Sequence, residues 1–165
     1  MSVDQPGAVA AATERLRAET TVSGLLGTTA RTYVELLGVP ACTISRVIGD
    51  LLVDLTQHKR AGKPDRLGHG YLISDYPVTG EVITTREPRT VFGADPDADP
   101  AEVRLLEELG FDSLLMLPIE SEAEVWGLIE VYGDKGRQFT EDDVALSRGV
   151  AAEVSGVLAR LGRPT

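Results

Sequence analysis

The sequence predicts an α+β fold with a largely antiparallel sheet, and three features of the chain indicate this class. Apolar residues follow helical spacing near both ends, over residues 8–37 and 140–161. Strand-like runs and short helical segments lie between these two stretches. The third feature is the segment 113–132, in which two long apolar runs are separated only by the polar residues 121–124. This segment predicts a β-hairpin at the centre of the sheet.

Length and composition favour a single acidic domain. The chain has 165 residues, 42% of them hydrophobic, which is enough for one substantial core. Its formal net charge of −10 disfavours direct binding to nucleic acid or to anionic lipid. No apolar run approaches the roughly twenty residues of a membrane span, and residues 1–7 lack the basic and apolar regions of a secretory signal. We therefore expect a cytoplasmic protein that does not interact with membranes.

The first third of the chain predicts a long helix followed by a hairpin. The helix over 8–37 ends at Gly38 and Pro40, and its glycines favour a break near Gly24 and Gly27. The hairpin consists of strands over 43–48 and 51–57 joined by a Gly-Asp turn. The basic, glycine-rich stretch 58–70 has no apolar period and is interpreted as an exposed, mobile loop.

The middle of the chain predicts short elements with recognisable helix caps. A strand over 71–73 precedes a helix over 77–85 that Asp75 can cap, and a strand over 89–92 follows. The next helix has Asp99 as N-cap, Pro100 at its first position and Glu102 completing a capping pattern. Gly110 ends this helix, whose apolar face is formed by Val103, Leu106 and Leu109.

The apolar residues of the last helix predict both a contact with the core and a dimer. Thr140 caps it, and three acidic residues in its first turn interact favourably with the positive end of the helix dipole. Its main apolar stripe is Val144, Ala151, Val154, Leu158 and Leu161. Further apolar residues lie outside this stripe, namely Leu146, Val150 and Val157. They predict a homodimer built from the terminal helices, and the alternative is that they complete the monomer core against the first helix.

The second strand of the central hairpin predicts two chemically different faces. The alternation of side chains along the strand places Val125, Gly127, Ile129 and Val131 on one face, which therefore carries no polar side chain. The other face receives Trp126, Leu128, Glu130 and Tyr132. An indole N–H, a carboxylate and a phenol each need a hydrogen-bonding partner when buried, so this face is interpreted as the wall of a cavity. In the alternative interpretation the residues are structural and Glu130 pairs with an arginine such as Arg46 or Arg89.

Five segments, in this order and at these intervals, resemble the GAF domain, a small-molecule-sensing module of signalling proteins. The segments are Val78-Thr-Gly80-Glu-Val82, Glu87-Pro88, GFDSLLMLPI from 110, WGLIEVY from 126 and FTEDD from 139. The resemblance implies a central antiparallel sheet of about six strands with terminal helices on one face. Short helices and loops would close a ligand pocket over the other face. We expect a GAF-like domain over 22–161, preceded by a partly helical segment 1–21 and followed by a tail 162–165.

The resemblance and the two-faced hairpin together predict the ligand site. Its residues are Tyr71, Tyr76, Val78, Val82, Met116, Trp126, Glu130 and Tyr132. We expect a mixed cavity for an unidentified small organic ligand, closed by the loop 58–70. The predicted function is a non-catalytic sensory or regulatory domain that signals through dimerised terminal helices, with a separate signalling effector as a further partner. The alternatives are an interaction or dimerisation module with a vestigial pocket, and a haem-based gas or redox sensor.

Several other chemistries fit the sequence poorly. The chain contains no nucleophile elbow, no phosphate-binding glycine loop and no His-Glu pair at zinc spacing, so we expect no enzyme activity. Cys42 is the only cysteine and lies among apolar neighbours, which predicts a buried, inert thiol. It cannot by itself supply the resolving thiol of the methionine sulfoxide-reducing members that the resemblance includes. The pigment-attaching cysteine motif of the bilin-binding members is also not found.

Cyclic nucleotide, haem and calcium would each depend on a few particular residues of this sequence. The family's cyclic-nucleotide signature is altered here, and the resemblance implies that Lys135 and Asp143 form a structural ion pair. Haem ligation would need His58 or His69, and both lie in the stretch interpreted as a surface loop. The acidic stretch from Asp95 departs from a calcium loop at its sixth and twelfth positions. The sequence names neither the ligand nor a cofactor.

Overall fold

The structure is a computed structural model that describes residues 5–60 and 69–162. These residues form five α-helices, six strands and one short 3-10 helix over Ile73–Asp75. The helices are α1 (Gln5–Arg17), α2 (Val22–Leu37), α3 (Pro77–Thr85), α4 (Pro100–Leu109) and α5 (Glu141–Leu161). The strands are β1 (Ala41–Ile48), β2 (Leu51–Lys59), β3 (Gly70–Leu72), β4 (Arg89–Phe92), β5 (Ser113–Ser121) and β6 (Glu124–Gly133). No helix within the described ranges is long and apolar enough to cross a membrane.

The six strands form one antiparallel sheet in the order β3-β2-β1-β6-β5-β4. The predicted α+β class and the central hairpin are confirmed, because β6 lies between β1 and β5 in the middle of the sheet. The hairpin turn is tighter than predicted. Ser121 pairs with Glu124, so only residues 122–123 form the turn, and Glu122 adopts a positive φ of 52°.

Helices α2 and α5 cover one side of the sheet, which we call the helix face. Helix α1 packs on these two helices. From the central hairpin the helix face receives Leu115, Leu117, Ile129 and Val131, all fully buried. Tyr33 of α2 is buried among them, and its hydroxyl donates to the Ser147 carbonyl of α5 at 2.7 Å. The helix face is therefore a closed apolar core.

The apolar residues that suggested a dimer belong to this core. Val150 and Val157 are buried in the helix-face core, and Leu146 packs against it. The prediction that they lie on a dimer surface is wrong, and the monomer-core alternative is confirmed. Helix α5 lies against both α2 and β5, so its buried surface is wider than one stripe.

The break in the N-terminal helical region lies before Gly24. Helix α1 ends at Arg17 and α2 begins at Val22, with the Thr21 side chain accepting from the Gly24 amide at 3.0 Å. Neither Gly24 nor Gly27 interrupts α2. Arg160 of α5 donates to the backbone carbonyl of Arg17, which fixes the end of α1 to the last helix.

The predicted caps of the two best-defined helices are present. Asp99 accepts from the amides of Ala101 and Glu102 at 3.1 Å. Thr140 and Asp143 form a reciprocal capping box at the start of α5. The prediction for α3 is wrong, because Asp75 lies in the 3-10 helix and the N-cap position belongs to Tyr76, whose side chain makes no capping hydrogen bond.

Two further predictions need correction. Asp143 pairs with Arg137 at 3.2 Å instead of Lys135, because Lys135 lies in the turn after β6 with a positive φ of 54°. The stretch 58–70 is not one loop. His58 belongs to β2, where it pairs with Cys42, and Gly70 begins β3. Residues 61–68 lie outside the described residues.

Candidate functional site

The side of the sheet opposite the helix face, which we call the second face, is covered by α3, α4 and the 3-10 helix. Residues along β5 and β6 alternate between the two sides, so that Leu114, Met116 and Leu128 point to the second face. They pack with Val82 of α3 and Leu106 of α4. The second face is therefore partly apolar, as the sequence predicts.

Four polar side chains form a buried hydrogen-bonded chain on this face. Tyr132 donates from its hydroxyl to Glu130 Oε2 at 2.9 Å. The Ser45 hydroxyl of β1 lies 2.5 Å from Glu130 Oε1 and 2.9 Å from Asp54 Oδ1 of β2. The chain Tyr132–Glu130–Ser45–Asp54, which we call the polar chain, thus connects three neighbouring strands below the protein surface.

Burial controls the ionisation of the polar chain. Removal from water raises the pKa of Glu130 to about 8, and the nearby Asp54 carboxylate adds to this rise. The hydroxyl groups of Ser45 and Tyr132, which can donate to the ionised form of Glu130, partly offset it. Burial also raises the pKa of Asp54, which the hydrogen bond from Ser45 and the charge of His69 partly offset. The pKa of Tyr132 is well above its usual value because of burial and the adjacent carboxyl groups. At neutral pH the Glu130 carboxyl is therefore mostly protonated.

The predicted arginine partner of Glu130 is not found. Arg46 lies with its guanidinium carbon 4.6 Å from the ring centre of Trp126 and donates to the Trp126 carbonyl at 2.6 Å. Arg89 pairs with Glu81 at 3.4 Å. Over residues 5–60 and 69–162, neither Asp54 nor Glu130 forms an ion pair with lysine or arginine, so hydroxyl groups provide their partners.

Trp126 does not line the second face, which corrects the predicted site. Gly127 pairs with Ile119 and Val125 pairs with Glu120, so Trp126 is an extra residue of β6 without an opposite partner. Such a β-bulge reverses the alternation of side chains beyond it. Trp126 therefore packs against the helix-face core, and Val125 takes its place on the second face.

A second buried carboxyl group connects the helices above this face. Glu102 of α4 is 1% exposed and accepts from the Thr79 amide at 3.1 Å and the Thr79 hydroxyl at 2.6 Å. The Thr79 hydroxyl also lies 3.5 Å from Met116 Sδ. Glu102 therefore does not return to its own N-cap as predicted. It caps the N-terminus of α3, which has no capping side chain of its own.

The other predicted site residues lie together on the second face. Val82 and Met116 are buried there, and Tyr71 and Val78 pack against them half-buried. Tyr76 contacts Tyr71 edge-on, with ring centres 6.0 Å apart. Sequence reasoning missed further residues, namely Ser45, Asp54, Thr79, Glu102 and Phe111. Polar residues inside the apolar strand runs of β1 and β2 are the signal that could have identified Ser45 and Asp54.

Phe111 covers one end of the polar chain on the second face. Phe111 stacks on Tyr132 with ring centres 5.0 Å apart, which closes the polar chain from one side. Four open hollows lined by described residues have no member of the polar chain among their lining residues. One of them, of about 280 Å³, lies between β4 and α4 and is lined in part by Phe111. Because Glu130 and Tyr132 are buried, a ligand that contacts them would have to displace the groups that cover them.

The remaining chemistry-bearing residues do not join this site directly. Cys42 is fully buried in the helix-face core, where burial raises the pKa of its thiol well above the usual value. His58 is half-buried in β2 and His69 is exposed. The described part of the chain contains no group of three or more histidine, cysteine or acidic side chains that could hold a metal ion.

Comparisons with known proteins identify relatives of this fold. The GAF domain family model matches residues 22–158. A phycocyanobilin-bound GAF domain from a cyanobacterial phytochrome is 21% identical with a TM-score of 0.82, and the match covers 98% of this chain and 97% of that one. A far-red-absorbing protein solved with bound biliverdin IXα is 17% identical with a TM-score of 0.80, covering 94% and 99%. A bacteriophytochrome from R. palustris is 13% identical with a TM-score of 0.86, covering 98% of this chain and 39% of that one. No curated protein matches the sequence.

Proposed function

The chain belongs to the GAF domain family, and from this premise we propose that it is a non-catalytic sensory domain whose second face binds a small organic ligand. We place the domain at residues 22–161 and its activity in the cytoplasm. The observation that carries the proposal is the polar chain. Two carboxyl groups and a phenol are buried on the side of the sheet that short helices cover, and within residues 5–60 and 69–162 neither carboxyl group pairs with a lysine or an arginine. A core without a binding role would be more stable with apolar residues at these positions.

The composition of the second face indicates the kind of ligand. Met116, Val82 and Val78 offer an apolar surface, whereas Glu130 and Asp54 offer oxygen acceptors. The proposed ligand therefore has an apolar body and at least one hydrogen-bond donor. Two of the related structures above were solved with bilins, but the single cysteine of this chain lies on the helix face. The proposal therefore includes no thioether-linked pigment.

A thermal-shift screen of small organic compounds tests this function, because a ligand that binds only the folded state raises the melting temperature. We expect compounds that stabilise the wild type and that stabilise Glu130→Gln clearly less. Glu124→Gln is the matched control, since Glu124 lies exposed on the same strand. Trp126 fluorescence is not a direct reporter, because the indole is on the helix face. A screen in which stabilising compounds act equally on both variants and the wild type would contradict the proposed site.

A second candidate function is a dimerisation or interaction module, and one surface of α5 favours it. The exposed side of this helix carries a row of small residues at alternating spacings of four and three, flanked by the exposed charged residues Glu141, Arg148 and Arg160. The row is Ala145, Gly149, Ala152, Gly156 and Ala159. This heptad spacing lets two helices approach closely along one seam. The burial of the polar chain is consistent with this function as well. A homodimer through α5 would also provide the sensory domain with an output to a separate effector.

Light scattering of the wild type and of Gly156→Glu tests the dimer. A Cβ atom at Gly156 meets nothing within 4 Å, so the substitution leaves the monomer intact. We expect a dimer for the wild type at micromolar concentration and a monomer for Gly156→Glu, because two carboxylates would face each other across the seam. Gly156→Ala is the control and should remain dimeric. A monomeric wild type would rule out this interface.

A further inference from the structure

The Ser45 hydroxyl lies between two carboxyl groups but has only one hydrogen atom to donate. Its oxygen is 2.9 Å from Asp54 Oδ1 and 2.5 Å from Glu130 Oε1. Ser45 is fully buried, and the other Glu130 oxygen already accepts from Tyr132. If both carboxyl groups were ionised, one of the two short contacts would join two acceptor oxygens with no hydrogen between them. One of the carboxyl groups must therefore carry a proton.

The surroundings assign this proton to Glu130. Glu130 is 6% exposed, and burial with the neighbouring Asp54 charge raises its pKa to about 8. The charge of His69 favours the ionised form of Asp54. The geometry then assigns the hydrogen bonds: Glu130 donates to Ser45, and Ser45 donates to Asp54.

The described residues that face the polar chain from the neighbouring elements do not compensate a second negative charge. Tyr71 of β3 contributes to the raised pKa of Tyr132, and Glu102 of α4 adds negative charge near Glu130. Cys42, on the opposite side of β1, is neutral. Apart from His69, the described residues place no cationic group against the pair. Ionised Glu130 would therefore face Asp54 in a water-poor site, and like charges in such a site repel strongly.

The geometry points to a proton-controlled opening of the second face: the closed form holds one proton between Asp54 and Glu130, and opening releases it. In the opening step the Glu130 O–H bond breaks, the proton passes to solvent and the carboxylate becomes hydrated. Opening is then easier at higher pH, and a ligand enters the opened face. Only the entry of a ligand rests on the proposed function, because the opening itself requires no ligand.

The direction of the pH effect follows from the raised pKa of the closed form. The closed form binds a proton that the open form, with an ordinary glutamate pKa, releases. Closure is therefore fully favoured below the ordinary glutamate range of about 4.3 and is progressively lost as the pH rises to about 8. Above that pH Glu130 is ionised in both forms, so a further rise in pH no longer changes the equilibrium between them.

Hydrogen exchange without ligand tests this inference. Between pH 5.5 and 8.5 we expect the protection factors of the β1, β2 and β6 amides near the polar chain to fall at least about tenfold, since one pKa unit corresponds to a factor of ten. The protection factors of the α5 amides should not fall, because α5 lies over the helix face. In Glu130→Gln the side chain cannot ionise, so the fall should disappear.

Carbon NMR titration of the glutamate carboxyl groups measures the proton itself in the wild type. Glu130 should titrate near pH 8, and its midpoint should fall in Asp54→Asn because the neighbouring charge is removed. A Glu130 titration in the ordinary glutamate range, or the same fall in protection in Glu130→Gln, would overturn the inference. Neither result requires a ligand, so the thermal-shift outcome for the proposed function remains separate.

Discussion

Replacement of Gly127 by alanine is expected to destabilise the fold by about 3 kcal/mol or more, because overpacking a closed interior forces the backbone to move. A Cβ atom at this position would lie 2.2 Å from the backbone carbonyl oxygen of Ser45. That oxygen belongs to the main chain of the central strand β1 and cannot rotate away. The substitution would also displace Ser45, which bridges Asp54 and Glu130, so the polar chain would break together with the strand pairing.

Urea denaturation of Gly127→Ala against Gly156→Ala measures this effect. Gly156 lies on a helix with open space around it, so alanine there should be neutral or stabilise by up to about 1 kcal/mol. The two variants differ only in where the same methyl group is added. Equal denaturation midpoints would show that β1 and β6 are not as close at Gly127 as the structure places them.

Replacement of Glu102 by alanine is the second large expected effect, a loss of about 3 kcal/mol of unfolding free energy. Hydrogen bonds to a charged group contribute about 1.5–3 kcal/mol each, and the substitution leaves the buried Thr79 amide without an acceptor and the Thr79 hydroxyl with only the Met116 sulfur at 3.5 Å. Helix α3 would also lose the only side chain that caps its N-terminus in the structure. Since α3 and α4 cover the second face, their separation should loosen that face before the rest of the fold.

A double-mutant cycle with Thr79→Ala separates the contact from other effects of the substitution. We expect an interaction energy of at least about 1 kcal/mol between Glu102 and Thr79, as is found for residues in one hydrogen-bond network. Glu107→Ala is the control, because Glu107 is exposed on the same helix. Additive losses in the cycle would mean that Glu102 stabilises α4 alone.

Local signals in the sequence were sufficient for most of the fold. The Asp99 and Thr140 caps and the Gly110 terminator each act within a few residues, so the start of α5 and both ends of α4 could be predicted. The same holds for the Gly49-Asp50 turn between β1 and β2. The family resemblance added the arrangement of terminal helices on one face and short helices on the other, which the structure confirms.

The site was less predictable because its geometry depends on contacts between distant segments. Strict alternation placed Trp126 beside Glu130, but a bulge depends on the register with β5, which the sequence of β6 alone does not specify. Ser45 and Glu130 are 85 positions apart and meet only because β1 pairs with β6. Glu102 was predicted to complete the cap of its own helix, α4. It accepts instead from Thr79, because the N-terminus of α3 has no capping side chain of its own. Each error arose where tertiary structure overrides a local rule.

The most direct test of the central claim is an amide chemical-shift map of the wild-type protein with the compound that stabilises it most in the thermal-shift screen. The claim predicts that the shifted amides cluster around Ser45, Asp54, Thr79, Glu130 and Tyr132. Shifts confined to a surface hollow, such as the one between Arg86 and Arg148, would contradict it, because ligand binding would then occur away from the polar chain.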